Sequence, residues 1–435
     1  MEIEREGIVR STKKLKNGFL ITLITSKGKI SFISNEYVDE NAYVKVSLSP
    51  TSKGFFGSIV SKRDTTKYDF ENIVDELRKS IKIDYEPLIK DEVMDKLKED
   101  IIKFAKDFLV SSILERDVVI HFHHDADGIV SAFAITSIVK GRTFQHNSAI
   151  YSVKDALNDI QSLRFGFMPM VINLDFSSNE ESREGIDILK AAGIDVYIID
   201  HHPGSILNVN VLNPWKYFED CSKYTAGYLS SEVARAAGKK VNMIKVSLAG
   251  DKSDLMNVSE EAKEKALVLD FLATYNVYGN NLDFYREVLN KKELYSTILI
   301  KAKEKLFEVR EEIKKQMKPI DVKGISIYFV KVDVVAKNSE FPSKGKITSQ
   351  AYELVKDKPA IVVGISNRSL IFRISEEAYK RGISANDIIE ELKRRMPNAF
   401  ESGGGHAKAA ALRIKNPDYI SAIKEEIKHV VVETV

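Results

Sequence analysis

Alternating apolar and polar positions mark the first part of the chain. They run through Phe19-Leu20-Ile21-Thr22-Leu23-Ile24 and again through Tyr43-Val44-Lys45-Val46-Ser47, with hairpin signals at Asn17-Gly18 and Lys27-Gly28. About five short strands in residues 1–64 predict a small barrel of the OB type. From Glu86 to Asp117 the period changes, and apolar residues recur at helical spacing with charges between them. This predicts a helical linker over 65–115, with one long amphipathic helix leading into a core domain. Residues 116–254 then alternate strand and helix patterns. Candidate strands are 118–123, 149–153, 171–175, 196–200 and 209–212, with helices at 130–139 and 182–192 between them. That rhythm predicts a mostly parallel sheet with helices on both faces. Residues 255–318 carry only helical patterns and end in a highly charged stretch from Lys301 to Lys318. Residues 319–435 predict a second, smaller α/β domain, with strands at 325–332, 360–365, 370–374 and 409–414 and helices at 349–355, 385–395 and 418–429.

The chemistry gathers where apolar strands end. Residues 118–128 read VVIHFHHDADG, so His121, His123, Asp125 and Asp127 fall on one parity at a predicted strand's C-terminal end. Asp175 ends a second apolar run. Asp200, His201 and His202 end a third, and Asp251 follows an apolar segment and a glycine. Each alone reads as a strand-end turn, for which Asp is well suited. Together they set two His-rich and two Asp-bearing loops on the edge where open α/β sheets bind ligands. Clustered carboxylates and imidazoles repel or strand buried charge unless a cation sits among them. A donor set of imidazole and carboxylate without thiolate suits Mn²⁺, Mg²⁺, Fe²⁺ or Co²⁺ better than a structural Zn²⁺. The carboxylates exceed what one ion needs. Two ions sharing an Asp, about 4 Å apart, would activate a water and clamp a phosphoryl group. Neither a P-loop lysine motif nor a serine elbow is present. The loop expected at Gly403-Gly404-Gly405-His406 has little bulk, so its backbone amides could approach a phosphate.

Composition narrows the class. Of 435 residues, 44% are hydrophobic and 29% charged, enough apolar mass for roughly two to four domains. A net charge of +2 argues against nucleic-acid attraction over the whole surface but leaves room for a local basic groove. Lys13, Lys14, Lys16, Phe55 and Phe56 would serve a strand-binding barrel, and packing or oligomer contacts remain open for the same barrel. The single cysteine, Cys221, excludes an internal disulfide framework. The charged N-terminus has no apolar signal region and no run reaches membrane-spanning length, so a cytoplasmic location is expected and no membrane partner.

The ordered motifs at 123–128, Asp175, Asp200-His201-His202 and Gly250-Asp251 resemble those of the DHH phosphoesterase superfamily. Gly403–His406, preceded by SLIFRIS at 369–375, resembles its DHHA1 substrate-binding domain. With an OB-like domain added, the chain looks most similar to the RecJ-type nucleases in their archaeal form. The resemblance implies a DHH catalytic domain over 116–254, a helical connector over 255–318 and a DHHA1 domain over 319–435. It implies His123, Asp125 and Asp127 as metal ligands, with His121 as a substitute for His123, and Asp175 bridging two ions. His201 and Asp251 would complete the second site, Asp200 would orient an imidazole, and His202 would contact the scissile phosphate or its leaving oxygen. Arg373, Gly403, Gly404, Gly405 and His406 would hold substrate phosphates or the strand end. The ions would be Mn²⁺ or Mg²⁺. The activity implied is exonucleolytic cleavage of single-stranded DNA, or RNA, in repair or replication, with a repair helicase or replisome component as partner and a homo-oligomer allowed. The barrel precedes the catalytic domain, unlike the bacterial RecJ order, which favours 3′-to-5′ digestion. The rivals are a phosphodiesterase for oligonucleotides or cyclic dinucleotides, and an inactive replication scaffold.

Overall fold

The computed structural model describes residues 3–52, 54–163, 169–204, 208–219, 221–275, 282–337, 341–405 and 407–435. The chain divides into two units, one built mainly from residues 1–263 and the other mainly from 264–435.

In the first unit the alternating segments close a barrel. β1 (Ile3–Leu15), β2 (Gly18–Thr25), β3 (Gly28–Ser34), β4 (Ala42–Thr51) and β5 (Gly54–Asp64) pair in the order β1-β2-β3-β5-β4, and β1 pairs with β4 to complete the ring. Val9, Ile21, Leu23, Phe32, Val44, Val46 and Leu48 fill it. Gly57 is dictated by this packing, because a Cβ there would lie 2.3 Å from the Phe32 ring.

Two helices follow rather than one. α1 (Lys67–Ser80) starts at a capping box between Thr66 and Asp69, and α2 (Glu92–Leu114) starts where the Asp91 side chain accepts from the Met94 amide. The long helix thus begins six residues later than the period suggests, because Asp91 offers a cap and Pro87 lies just upstream. Barrel residues Ile8 and Ile24 pack with Phe70, Ile73, Leu77, Val110 and Leu114 in one buried cluster. The Arg63 guanidinium grips the Asp69 carboxylate with two bonds of 2.6 and 2.7 Å, holding that carboxyl well below the usual carboxylate range. The barrel is sealed onto these helices.

The five-stranded sheet that follows is wholly parallel. β6 (Val118–His123), β7 (Arg142–His146), β8 (Met170–Leu174), β9 (Asp195–Ile199) and β10 (Asn210–Leu212) lie in the order β10-β9-β8-β6-β7. Residues 149–153, expected as a strand, are not one. Tyr151 is instead buried and Ser152 caps α4 (Val153–Ser162), while the strand lies earlier, at Arg142–His146. Helix α4 and α5 (Arg183–Ala191) cover one face through Tyr151, Ala156, Ile186 and Leu189. The other face carries α3 (Ala126–Thr136), α6 (Ala226–Ala236) and α7 (Ile244–Gly250), packed on one another. The order reverses at β6, whose neighbours are β7 and β8, so the loops after β6 and β8 part there and open a crevice at the strands' C-terminal ends.

In the second unit α8 (Glu260–Tyr275), α9 (Leu282–Asn290) and α10 (Lys292–Gln316) precede a six-stranded sheet. Helix α10 buries Ala302, Val309 and Ile313 and is otherwise open to solvent or half-buried, as its charge pattern suggests. β11 (Ile320–Val322), β12 (Ile325–Lys331), β13 (Ala360–Ile365), β14 (Ser369–Ile374), β15 (Phe400–Gly405) and β16 (Ala409–Ile414) take the order β11-β12-β13-β14-β16-β15. Gly403, Gly404 and Gly405 are therefore not a loop. They form the edge strand, paired with Leu412, Ala411 and Ala410. No helix among the described residues is long and apolar enough to cross a membrane.

Candidate metal centre

Each strand end contributes its polar residues to the same crevice. After β6 the chain turns sharply into α3, with Asp125 as its N-cap, and Gly128 permits the turn: a Cβ there would lie 2.3 Å from the His123 carbonyl oxygen. His123 Nδ1 lies 2.7 Å from Asp125 and 3.5 Å from Asp175. After β8, Asp175 takes a left-handed conformation with φ 67°. Its other oxygen lies 3.4 Å from His201 Nε2. His201 Nε2 is also 3.0 Å from Asp251 and 3.8 Å from Asp127. Among the described residues, three groups of donor atoms result: His123, Asp125 and Asp175; Asp127, His201 and Asp251; and Asp175, His201 and His202. Asp175 and His201 each belong to two of them. Asp251 does not come from a strand end. It stands at the C-terminus of α7, which packs on α3.

The surroundings aim these side chains. His201 Nδ1 meets the Ser222 carbonyl at 2.7 Å, which leaves Nε2 toward the carboxylates. The Asp200 carboxylate accepts from the His201 and His202 amides, from Ser178 N and Oγ, and pairs with His202 Nδ1 at 2.8 Å. Burial raises its pKa, but the His202 charge and bond, then His201 and Ser178, outweigh this and hold it well below the carboxylate range. Asp200 thus orients His202, whose side chain is 54% exposed and free to meet a substrate. Asp127 is fully buried, and its oxygens accept from the Ala226 and Gly227 amides at the N-terminus of α6 and from Ser247 Oγ.

The electrostatics favour a cation. Burial, then the charges of Asp175 and Asp251, push Asp127 well above the carboxylate range. Burial and then Asp125 raise Asp175 too. Burial lowers His201, but Asp175 and Asp251 reverse this and raise it well above the histidine range. His201 Nε2 and Asp175 Oδ1 are buried with no partner in hydrogen-bond geometry among the described residues. Orphaned donor atoms facing one another are what a divalent ion would satisfy. His123, Asp125, Asp127, Asp175, His201 and Asp251 fit such ions.

His121 is not among these donors. Its Nε2 meets Asp159 of α4 at 2.7 Å, and Tyr151 Oη donates to the same carboxylate. It shares parity with His123 but lies two residues back from the strand end, inside the packing of α4. Sequence reading also misses the supports: Ser178, Thr225, Ser247 and the Ser222 carbonyl. Their one legible trace is Thr225, the N-cap of α6, whose hydroxyl also bonds Ser247.

In the second unit, Arg373 on β14 donates to Ser349 Oγ at 3.2 Å and to the Phe372 carbonyl at 2.9 Å, and burial pushes its pKa down. Arg373 pairs with Ala409 while Gly405 pairs with the adjacent Ala410, so arginine and glycines share one end of the sheet. A Cβ at Gly403 would meet Leu412 at 2.5 Å, whereas Gly404 faces open space. His406 lies outside the described residues.

Replacing Gly227 by alanine tests the support of Asp127. The new methyl would stand 2.6 Å from Ser247 Cβ and 2.8 Å from Asp127 Oδ1. Overpacking of this kind costs about 1–3 kcal/mol. Thermal unfolding and Mn²⁺ titration should therefore both show losses. An unchanged Mn²⁺ affinity would mean that α6 does not fix Asp127.

Known proteins share parts of this sequence and this fold. Residues 117–250 match the DHH family, N-terminal domain, and residues 331–433 match the DHHA1 domain. An uncharacterized protein of Methanocaldococcus jannaschii is 26% identical, over 75% of this chain and 53% of its own, so the chain spans about half the length of that curated relative. Among solved structures, a DHH domain described as belonging to a family of ribosomal proteins aligns with a TM-score of 0.71 and 22% identity, covering 83% of this chain and 97% of that one. RecJ of Thermus thermophilus in complex with Mn²⁺ aligns with a TM-score of 0.53 and 13% identity, over 77% of this chain and 55% of that one. The barrel, the parallel sheet and the second α/β unit thus belong to a member of the DHH phosphoesterase superfamily that carries both a DHH and a DHHA1 domain.

Proposed function

We propose that this protein is a divalent-metal-dependent exonuclease that removes nucleotides from the end of single-stranded DNA, or RNA, in the 3′-to-5′ direction. One observation carries the reading: Asp175 is shared by two groups of donors at the C-terminal edge of the parallel sheet. Two ions held by His123, Asp125, Asp127, Asp175, His201 and Asp251 would supply an activated water and a clamp on the phosphoryl oxygens. The chain's own residues do the rest. Asp200 holds His202 so that its exposed ring meets the scissile phosphate or its leaving oxygen. Asp127, anchored on α6, keeps its donors in place. Mn²⁺ is the expected ion, with Mg²⁺ as substitute. It is the ion bound in RecJ structures of this fold, and it suits imidazole with carboxylate.

The closed barrel favours a polymer over a mononucleotide, and we assign it as an OB-type strand binder, with exposed Lys13, Lys14 and Lys16 and half-buried Phe55 and Phe56. An inactive scaffold is disfavoured because all six donor positions are filled. A repair helicase or replisome component would be the natural partner.

Digestion of end-labelled single strands tests the reading. Mn²⁺ should support it and EDTA stop it. A blocked 3′ end should protect the strand, and a blocked 5′ end should not. Protection by the 5′ block alone would reverse the polarity, and full activity in EDTA would end the metal reading.

Arg373 and Gly404 would hold substrate phosphates through a bidentate guanidinium and bare edge amides. Gly404→Val should fold normally, because its position is open, and Arg373→Ala should also keep bound Mn²⁺. Both should raise KM. Unchanged KM in both, or lost metal, would take these residues out of the substrate's path.

A further inference from the structure

Beside the turn that presents Asp175 lies a buried pair of polar residues that take no part in the donor groups. Asn173 lies on β8 with His121 and Ile198 as its register neighbours, and it is fully buried. Its Nδ2 donates to Ser177 Oγ at 3.0 Å, and Ser177 is fully buried too. Its Oδ1 has no hydrogen-bond partner among the described residues. An apolar residue in this strand would avoid that loss, so the amide is kept buried at a cost that its bond to Ser177 must offset.

Along the backbone from Asn173 to Ser177, Asp175 has φ 67° and Ser177 has φ 76°. The left-handed region is disfavoured for side chains other than glycine, asparagine and aspartate, so Ser177 persists there only if its surroundings impose it. The Asp175 amide donates to Ile199 at 2.8 Å, the Ser177 amide to Ala149 at 3.3 Å, and Ser178 is tied to Asp200. The Asn173 bond is the one among these that holds the Ser177 side chain.

We propose that the Asn173–Ser177 clasp sets the left-handed turn that aims Asp175 at both donor groups, so that Asn173 is a positioning residue for the paired ions. This rests on the reading of Asp175 as their shared ligand.

The test is titration of the full-length protein with Mn²⁺ alone, followed by calorimetry and electron paramagnetic resonance. Wild type should bind two ions and show an exchange-coupled pair. Ser177→Ala removes the acceptor with little change in volume, and Asn173→Leu removes the donor. Loss of such an outer support costs about 10- to 100-fold in metal affinity. Both variants should show that loss for the second ion, with the coupled signal reduced, while circular dichroism stays unchanged. Ser177→Gly adopts the turn without steric cost and should recover coupling relative to Ser177→Ala. If Asn173→Leu fails to fold, the two Ser177 variants decide. Wild-type binding and coupling in Ser177→Ala, or a glycine variant as impaired as alanine, would overturn the clasp while leaving the shared ligand intact. A wild-type protein that never shows a coupled pair would overturn the shared ligand itself.

Discussion

Replacing Asp175 by asparagine is expected to abolish hydrolysis and, in metal-free protein, to raise the unfolding temperature. The first effect follows from position: one oxygen lies 3.5 Å from His123 and the other 3.4 Å from His201. Losing a group that stabilises transition-state charge costs about 10²- to 10³-fold or more in rate. The second effect follows from the carboxyl's raised pKa. Burial and then the charge of Asp125 raise it, against His123 and His201. An acid with a raised folded pKa binds its proton more tightly in the native state than in the unfolded one. Its ionised form therefore opposes folding, with the full penalty above the folded pKa; the penalty shrinks as pH falls below that value and is gone below the unfolded pKa. Asparagine carries no such charge and accepts a φ of 67°. Mn²⁺ should reverse the order, because ions that bind only the native state stabilise it by mass action. Thermal unfolding in EDTA and in Mn²⁺, with a rate assay, checks both effects. A variant that Mn²⁺ stabilises as strongly as wild type would remove Asp175 from the ion site.

The same balance explains why the site was legible in the sequence. Apolar runs that end in His and Asp are conspicuous because buried charge is costly, and the sheet then gathers the ends of those runs at one edge. His123, Asp125, Asp127, Asp175, His201, His202 and Asp251 all reach that crevice. Parity alone could not separate His121 from His123. What separates them is Asp159, 38 residues away on a helix that packs over the strand. Asp251 was legible as a donor but not as the end of a helix, since a short apolar run reads equally as strand or helix.

The misread elements share another cause. Gly403–Gly405 has no side-chain pattern, so nothing local marks it as a strand. Its pairing comes from β16, and the bare backbone lets Leu412 sit against Gly403. Within the predicted helical linker, α1 does not stand out as a separate helix because its apolar residues Phe70, Ile73 and Leu77 make a short stripe, which becomes a buried face only against Ile8 and Ile24 of the barrel.

That shared cluster changes what removal of the barrel would do. The sequence suggests that residues 1–64 can be cut away without opening a core. The packing of Ile8 and Ile24 on Phe70, Ile73, Leu77, Val110 and Leu114 says otherwise. A chain beginning near Tyr68 would expose one side of those five residues, and each fully buried side chain of this kind is worth about 1.5–3 kcal/mol. Against a typical total of about 5–15 kcal/mol, the shortened protein is expected to unfold or aggregate. Circular dichroism and gel filtration check this, and a folded, monodisperse fragment would show the seal to be dispensable. Strand binding must therefore be tested in the intact protein, through the exposed Lys13, Lys14 and Lys16. Replacing all three by alanine should leave the fold and the cleavage of very short oligonucleotides unchanged. Affinity for longer strands should fall, and the salt dependence should flatten by about 0.7 in log–log slope for each phosphate no longer neutralised. An unaltered slope would assign the barrel to assembly, because a surface that neutralises phosphates cannot give up three cations without releasing fewer counterions.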